Sequence, residues 1–177
     1  MKFSSEVGDY ANGGWSKTSL LQCILKCQIR VNGRLTAWCA QHDRITFEPK
    51  GARSYEHPSI SGGESTGITC LLMSLKSPTN DIKEAIKAAV EWYESSEITG
   101  IRLKNINGDR KVVTDIAAPV IWARFYEIKT NRPIFSGRDG RIKYSVSDIE
   151  FERRNGYAWY VSSGNKVLRS WQDWKYK

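Results

Sequence analysis

The stretch NDIKEAIKAAVEWYES, residues 80–95, decides the helical part of the fold. Ile82, Ala85, Ile86, Ala89, Val90 and Tyr93 recur at intervals of three and four, which puts them on one face of an α-helix. Such a stripe is core, not a cofactor-binding face. Upstream, Ser61 and Glu64 have the spacing of a capping box and predict a helix carrying Ile68, Leu71, Leu72 and Leu75 inward, closed by Pro78. Leu20, Leu21, Ile24 and Leu25 predict an earlier helix, ended by Asn32-Gly33 and preceded by the Gly-rich, turn-like segment GDYANGGWSK. Downstream, Ile101-Arg102-Leu103 and Lys111-Val112-Val113 flank Asn107-Gly108-Asp109, the signature of a short β-hairpin. Residues 117–145 show no clean period and read as a long structured loop, the kind of segment that often carries function. Ser147 with Glu150 then predicts a helix start, Gly156 its stop, and Val167, Leu168 and Trp171 a terminal helix. With no internal repeat, low-complexity tract or linker, residues 1–177 read as one domain.

Composition narrows the function classes. Apolar residues make up 40% of the 177 and aromatics 11%, enough to close one core and to exclude disorder. Lys and Arg number 27 against 19 Asp and Glu, a net charge of +8 that points to a polyanion or an anionic surface. No apolar run reaches the roughly 20 residues of a membrane helix. The start MKFSSEVGDY lacks the apolar core of a signal peptide, so either a cytosolic protein or a removed leader is expected. Cys23, Cys27, Cys39 and Cys70 match neither a paired zinc motif nor a disulfide framework and read as buried thiols. With only His42 and His57, a His-rich metal site is excluded, and no spacing suggests a Ser-His-Asp triad.

Charge is concentrated late in the chain: residues 117–177 hold 12 Lys or Arg and 6 Asp or Glu. The arginines stand among aromatics and turn residues, in Trp122-Ala-Arg124-Phe-Tyr126, Asn131-Arg132-Pro133, Ser136-Gly137-Arg138-Asp139-Gly140 and Glu152-Arg153-Arg154-Asn155-Gly156-Tyr157. Guanidinium groups pair carboxylates bidentately and rings can cover sugar faces, so this company suits an acidic polysaccharide as well as nucleic acid. Structural ion pairs and cation–π contacts account for the same composition.

Longer motifs choose between these readings. Residues 28–43 (QIRVNGRLTAWCAQHD), 52–59 (ARSYEHPS), 61–64 (SGGE), 122–127 (WARFYE), 130–140 (TNRPIFSGRDG) and 152–160 (ERRNGYAWY) resemble the family 10 pectate lyases, in family order from Lys26 to Tyr160. The resemblance implies a mainly α fold, an abbreviated α/α toroid with long loops and a short β-hairpin. It also implies a secreted enzyme that cleaves de-esterified polygalacturonate by β-elimination with calcium as cofactor. The proton at C5 of a galacturonate is weakly acidic, so charge neutralisation at the neighbouring carboxylate is the main catalytic lever. By motif match the catalytic base is Arg138, while Arg53, Arg124 and Arg153 contact substrate carboxylates, with Arg154 a rival to Arg153. Guanidinium chemistry on its own would make Arg138 an electrostatic stabiliser, because its pKa normally exceeds about 12.

Other conspicuous residues remain unassigned. Asp43 and Asp139 have the chemistry of calcium ligands, but orienting an arginine or capping a turn explains them more simply, and the metal ligands stay unknown. His42 and Trp38 read as packed residues; Tyr157, Trp159 and Tyr160 suit either sugar stacking or core. A complete catalytic domain of the family is longer, with acidic motifs in an N-terminal half that are unmatched here. Asn12-Gly-Gly-Trp15 resembles an upstream family motif yet runs almost directly into residues 20–28, so an internal segment is expected to be missing. Two readings follow: a small pectate lyase, or a non-catalytic pectate-binding module. Polygalacturonate is the expected partner, with no nucleic acid and no membrane, and a monomer is expected. No helix-turn-helix, RRM-like or zinc-finger pattern supports a nucleic-acid binder.

Overall fold

The computed structural model describes residues 17–175; the Gly-rich opening before them, with its Asn12 to Trp15 motif, lies outside the described residues. The first helix, α1 (Lys17–Lys26), turns Leu21, Ile24 and Leu25 toward the core but leaves Leu20 exposed. It ends well before Asn32-Gly33. That dipeptide instead turns the chain between β1 (Arg30–Val31) and β2 (Arg34–Leu35), with Asn32 and Gly33 both at positive φ, 50° and 79°. An Asn-Gly pair adopts this two-residue turn at low cost, which makes it a hairpin signal before it is a helix stop.

After β3 (Ile60–Ser61), helix α2 (Glu64–Met73) starts where predicted. The Ser61 hydroxyl accepts from the Glu64 and Gly63 backbone N–H groups, both at 3.2 Å. Of the residues expected inward, Leu72 is buried and Ile68 and Leu75 pack half-buried against the core, but the face is more polar than expected. Ser65, Thr66, Thr69, Leu72 and Met73 point inward, whereas Leu71 is exposed. The polar inward face is satisfied: Ser65 Oγ accepts from Trp38 N–H (2.9 Å) and donates to Trp38 C=O (3.0 Å), and Thr66 Oγ1 meets the Tyr93 hydroxyl (2.9 Å).

Helix α3 (Asn80–Ser95) matches its prediction, capped by the Thr79 hydroxyl and burying Ile82, Ala85, Ile86, Ala89, Val90 and Tyr93 together with Trp92. The hairpin is also as expected: β4 (Ile101–Ile106) pairs with β5 (Asp109–Thr114) around Asn107 and Gly108, both at positive φ.

The mainly α toroid is contradicted. Helix accounts for 35% of the structure and strand for 21%, with five helices and small sheets. Half of the unexpected strand residues fall in residues 117–145, expected to be loop. They contain β6 (Trp122–Ala123), β7 (Phe125–Tyr126), β8 (Phe135–Ser136) and β9 (Ile142–Lys143). Each described sheet is two-stranded: β6 pairs with β10 (Tyr160–Val161), β7 with β3, and β8 with β9, all antiparallel. A two-residue strand cannot display the alternation by which strands are recognised, so this layer is invisible to periodicity.

Helix α4 (Phe151–Gly156) ends at Gly156 as predicted. The Ser147–Glu150 capping box does not form; the Ser147 hydroxyl bonds instead to Ser145 and Asp148 in a 3-10 turn, Val146–Asp148. The last helix, α5 (Gly164–Trp174), buries Val167.

Two apolar clusters organise these elements. The larger joins α2, α3 and α5 through Trp38, Trp92, Tyr93 and Trp122, the last donating from Nε1 to Tyr93 C=O at 2.9 Å. The smaller contains Phe125, Ile134, Phe135, Val146, Ile149 and Trp159, with Tyr55, Tyr157 and Tyr160 against it. The four cysteines are free thiols; burial, aided by Cys23, pushes Cys27 up to about 11. No helix among the described residues is long and apolar enough to cross a membrane.

Gly164 lies directly against Trp122 of the larger cluster, because a Cβ there would lie 2.7 Å from its ring carbons. Gly164→Ala should therefore lower stability by about 1–2 kcal/mol despite alanine's better helix propensity. The urea midpoint checks this, and an unchanged or raised midpoint would show that Trp122 can yield.

Candidate functional site

The predicted arginines are brought to one face by three loops and a short helix around the smaller cluster. Arg124 lies between β6 and β7, its backbone fixed on both sides. Its N–H donates to Trp159 C=O (2.7 Å), and its C=O accepts from Gly62 N–H (2.9 Å). Its side chain pairs with Glu64, which also accepts the Ser61 hydroxyl. The guanidinium sits over the rings of Tyr157 and Phe125, 5.1 and 5.8 Å from their centroids, and Nε has no hydrogen-bond acceptor among the described residues.

Arg53 stands in a tight turn closed by Glu56. The Arg53 C=O accepts from Glu56 N–H (2.9 Å), and Arg53 Nη1 reaches Glu56 Oε1 (3.3 Å) and the Tyr55 hydroxyl (3.4 Å). The Tyr157 hydroxyl donates to the same Glu56 oxygen at 2.7 Å. Burial, and then this bond to a carboxylate, hold the Tyr157 phenol well above its ordinary range.

The loop carrying Arg138 packs against this turn. His57 Nε2 lies 3.1 Å from Ser136 Oγ, and burial lowers the imidazole pKa, favouring the neutral ring. Gly140 turns at φ 67° with its α-carbon beside Ser54 C=O. At Gly137 the Glu150 carboxylate occupies the space of any side chain, and that carboxylate accepts from Arg138 N–H at 3.2 Å. Only glycine permits so close an approach.

Helix α4 separates the rivals Arg153 and Arg154. Arg154 turns away and clasps Asp109 at the hairpin tip with two bonds of 2.8 Å, which hold that carboxyl down at about 2. Arg153 turns into the cluster, its guanidinium 4.8 Å from the centroid of the Tyr55 ring. It shares Glu152 with Arg138. Arg138 Nε and Nη2 each donate to one Glu152 oxygen at 2.9 Å, and Arg153 Nη2 and Nε reach the same two oxygens at 2.6 and 3.2 Å. Bonds from Arg138 and then Arg153 hold the Glu152 carboxyl down at about 2, and in return Glu152 raises the pKa of both guanidinium groups. The side chains of Arg138 and Glu152 are 66% and 54% exposed, that of Arg153 only 12%.

Tyr55 and Tyr157 meet edge to face at 5.3 Å and close the circuit. All four predicted arginines thus surround one pair of tyrosines, each guanidinium already holding a carboxylate. Sequence reasoning missed these partners: Glu56, Glu64 and Glu152, with Tyr55 as the ring beneath Arg153. Glu56 and Glu152 sit within or beside the arginine motifs, which was the available signal. Trp159 is core, at 1% exposure, and Tyr157 is the half-buried support of Arg124.

The expected calcium does not find a matching donor set. No group of three or more His, Cys, Asp or Glu able to hold a metal ion occurs among the described residues. The acidic oxygens near the arginines are committed to them. Asp43 caps a turn through Ile45 N–H and Thr46 N–H and pairs with Lys50; Asp139 accepts from Arg141 N–H and pairs with Lys143. A calcium site requires about six or more oxygens converging on one point, which these pairings do not offer.

Comparison with known proteins gives a consistent answer. A sequence profile described as pectic acid lyase matches residues 15–168. A search of curated proteins finds no match. Among solved structures, a family 10 polysaccharide lyase from Cellvibrio cellulosa is 37% identical with a TM-score of 0.83, over 90% of this chain and 50% of its own. A mutant of the family 10 polysaccharide lyase from Cellvibrio cellulosa, in complex with trigalaturonic acid, is 36% identical with a TM-score of 0.83, over 89% and 49%. The chain thus spans about half the length of the solved structures that it matches. Its motifs, its arginine face and these likenesses agree, and the chain belongs to the pectic acid lyase family.

Proposed function

We propose that the protein is a pectate lyase that cleaves de-esterified polygalacturonate by β-elimination. The observation that carries this reading is the convergence of Arg53, Arg124, Arg138 and Arg153 on one face, supported by two tyrosine rings. Such a face is suited to a chain of uronates: guanidinium forks pair carboxylates and the rings offer apolar flanks to sugar. The solved relative in complex with trigalaturonic acid supports the same substrate class.

In the proposed reaction Arg53, Arg124 and Arg153 pair substrate carboxylates and stabilise the charge that develops as C5 loses its proton. Arg138 takes that proton, the electron pair forms the C4–C5 double bond, and the C4–O bond breaks with its pair leaving on the oxygen of the departing chain, which takes a proton from water. Taking a proton requires a neutral guanidinium, and Glu152 in its resting position favours the charged one. The proposed base therefore works only once a substrate has displaced Glu152, and turnover rises with pH as the neutral fraction grows. Because the described residues do not form a calcium cage, no step of this scheme is routed through the ion.

The second reading, a pectate-binding module, is favoured by one fact: the chain matches only about half the length of its solved relatives. Binding without chemistry distinguishes it.

With polygalacturonate at alkaline pH, the protein should release products with a 4,5-unsaturated end, read as rising ultraviolet absorbance. Arg138→Ala should lower turnover by roughly 10²–10⁴-fold, the span of general acid–base catalysis, with a smaller effect on binding. Binding without any unsaturated product would replace the lyase by the binding module; undiminished turnover in Arg138→Ala would remove the base assignment alone. We also propose, from the family resemblance, that turnover needs calcium. Chelation should abolish product and added calcium restore it, whereas full activity in chelator overturns that part. Affinity electrophoresis supplies the remaining test. Gels containing polygalacturonate should retard the protein more than gels containing highly methyl-esterified pectin, and salt should reduce the difference. Equal retardation would refute carboxylate recognition.

A further inference from the structure

Glu152 presents to Arg138 and Arg153 what a uronate would present. Its two oxygens accept four guanidinium hydrogen bonds, a fork from each arginine, at 2.6–3.2 Å. The carboxylate is 54% exposed and sits on α4, none of whose residues is buried, so it can leave without opening the core. The other carboxylates of the face differ. Glu64 is more enclosed and also holds the Ser61 hydroxyl, and Glu56 closes its own turn and takes the Tyr157 hydroxyl.

We propose that Glu152 is an internal competitor that occupies the seat of a substrate carboxylate on Arg153 and, while there, holds Arg138 charged, so that uronate binding exchanges one carboxylate for another on Arg153 and frees Arg138. The inference rests on the proposed pectate reading and adds a residue to it. Three physical consequences follow. The resting arginines are not left as unpaired neighbouring charges, which would repel one another. Affinity is set by the difference between two similar pairings and not by the full strength of one. Release is assisted, because the departing uronate is replaced by a carboxylate already tethered within reach, at high effective concentration. Glu152 keeps this role across the ordinary pH range, since its two arginines hold it ionised down to about pH 2.

The opposite role, a brace that holds Arg138 and Arg153 in position for substrate, predicts the opposite sign, which makes the two separable. In native gels containing polygalacturonate, Glu152→Gln should be retained about 3- to 10-fold more strongly than wild type, the scale of one or two exposed ion pairs relieved. Glu94→Gln on α3 removes the same charge away from the arginines and controls for net charge. Arg153→Ala with and without Glu152→Gln completes a cycle, in which the gain should shrink once Arg153 is absent. Glu152→Asp keeps the charge but draws the carboxylate back by one methylene, and should fall between wild type and Glu152→Gln; it replaces Glu152→Gln should that variant prove unstable by its urea midpoint. A gain no larger than that of Glu94→Gln, or weaker retention at an unchanged midpoint, overturns the exchange. Retention of wild type without the gain refutes this inference alone, whereas no retention of any variant by polygalacturonate removes the pectate reading and the exchange with it.

Discussion

The five residues from Trp122 to Tyr126 are the constraint on which the remaining architecture depends. Trp122 is buried in the helical cluster and Phe125 in the arginine-bearing one, so this short segment belongs to both cores. Its β6 half pairs with β10 and its β7 half with β3, while Arg124 between them is held by hydrogen bonds to Trp159 and Gly62. A segment paired on both sides has little freedom to translate or twist. Arg124 consequently projects from a backbone held on both sides, and the apolar packing of the helices is transmitted to the position of a charged group.

Bringing four arginines together is an electrostatic problem before it is a catalytic asset. Like charges at short range raise the free energy of the folded state, and partial burial sharpens the effect. The structure answers with three glutamates, each placed on the arginines it serves, and with rings beneath Arg124 and Arg153 whose faces attract cations. The face is thereby close to neutral at rest while remaining rich in donors. A polyanion meets it as a set of replaceable pairings and not as a bare positive field.

How much of this was legible in the sequence depends on the length of each pattern. The helix at residues 80–95 and the hairpin at 101–114 carry enough repeats, or a sufficiently specific turn, to be read from one chain. The two-residue strands do not, and the toroid expectation failed where they lie. The face of α2 was legible only in its apolar part, Ile68 and Leu72. Ser65, Thr66 and Thr69 face inward because backbone and tyrosine partners satisfy them, and no hydropathy pattern announces a polar face that has found its partners. The four arginines were visible through their motifs, but their pairings were not. Glu64 and Arg124 are 60 residues apart, and Glu56 and Tyr157 are 101 apart, so only the folded chain brings them together.

The hairpin has a consequence of register. Helix α4 is six residues long and buries none of them, too short to persist by itself, and its orientation is set largely by polar ties to the hairpin tip. Those ties end on Asp109, which follows the Asn107-Gly108 turn directly and is supported by Asn155. In an antiparallel pair, a slip of one residue carries every side chain to the opposite face. The two turn residues, by admitting positive φ at those places, determine on which side of the ribbon the carboxylate stands. The aim of Arg153, across the helix from Arg154, is thus specified by where a chain reverses direction more than forty residues earlier.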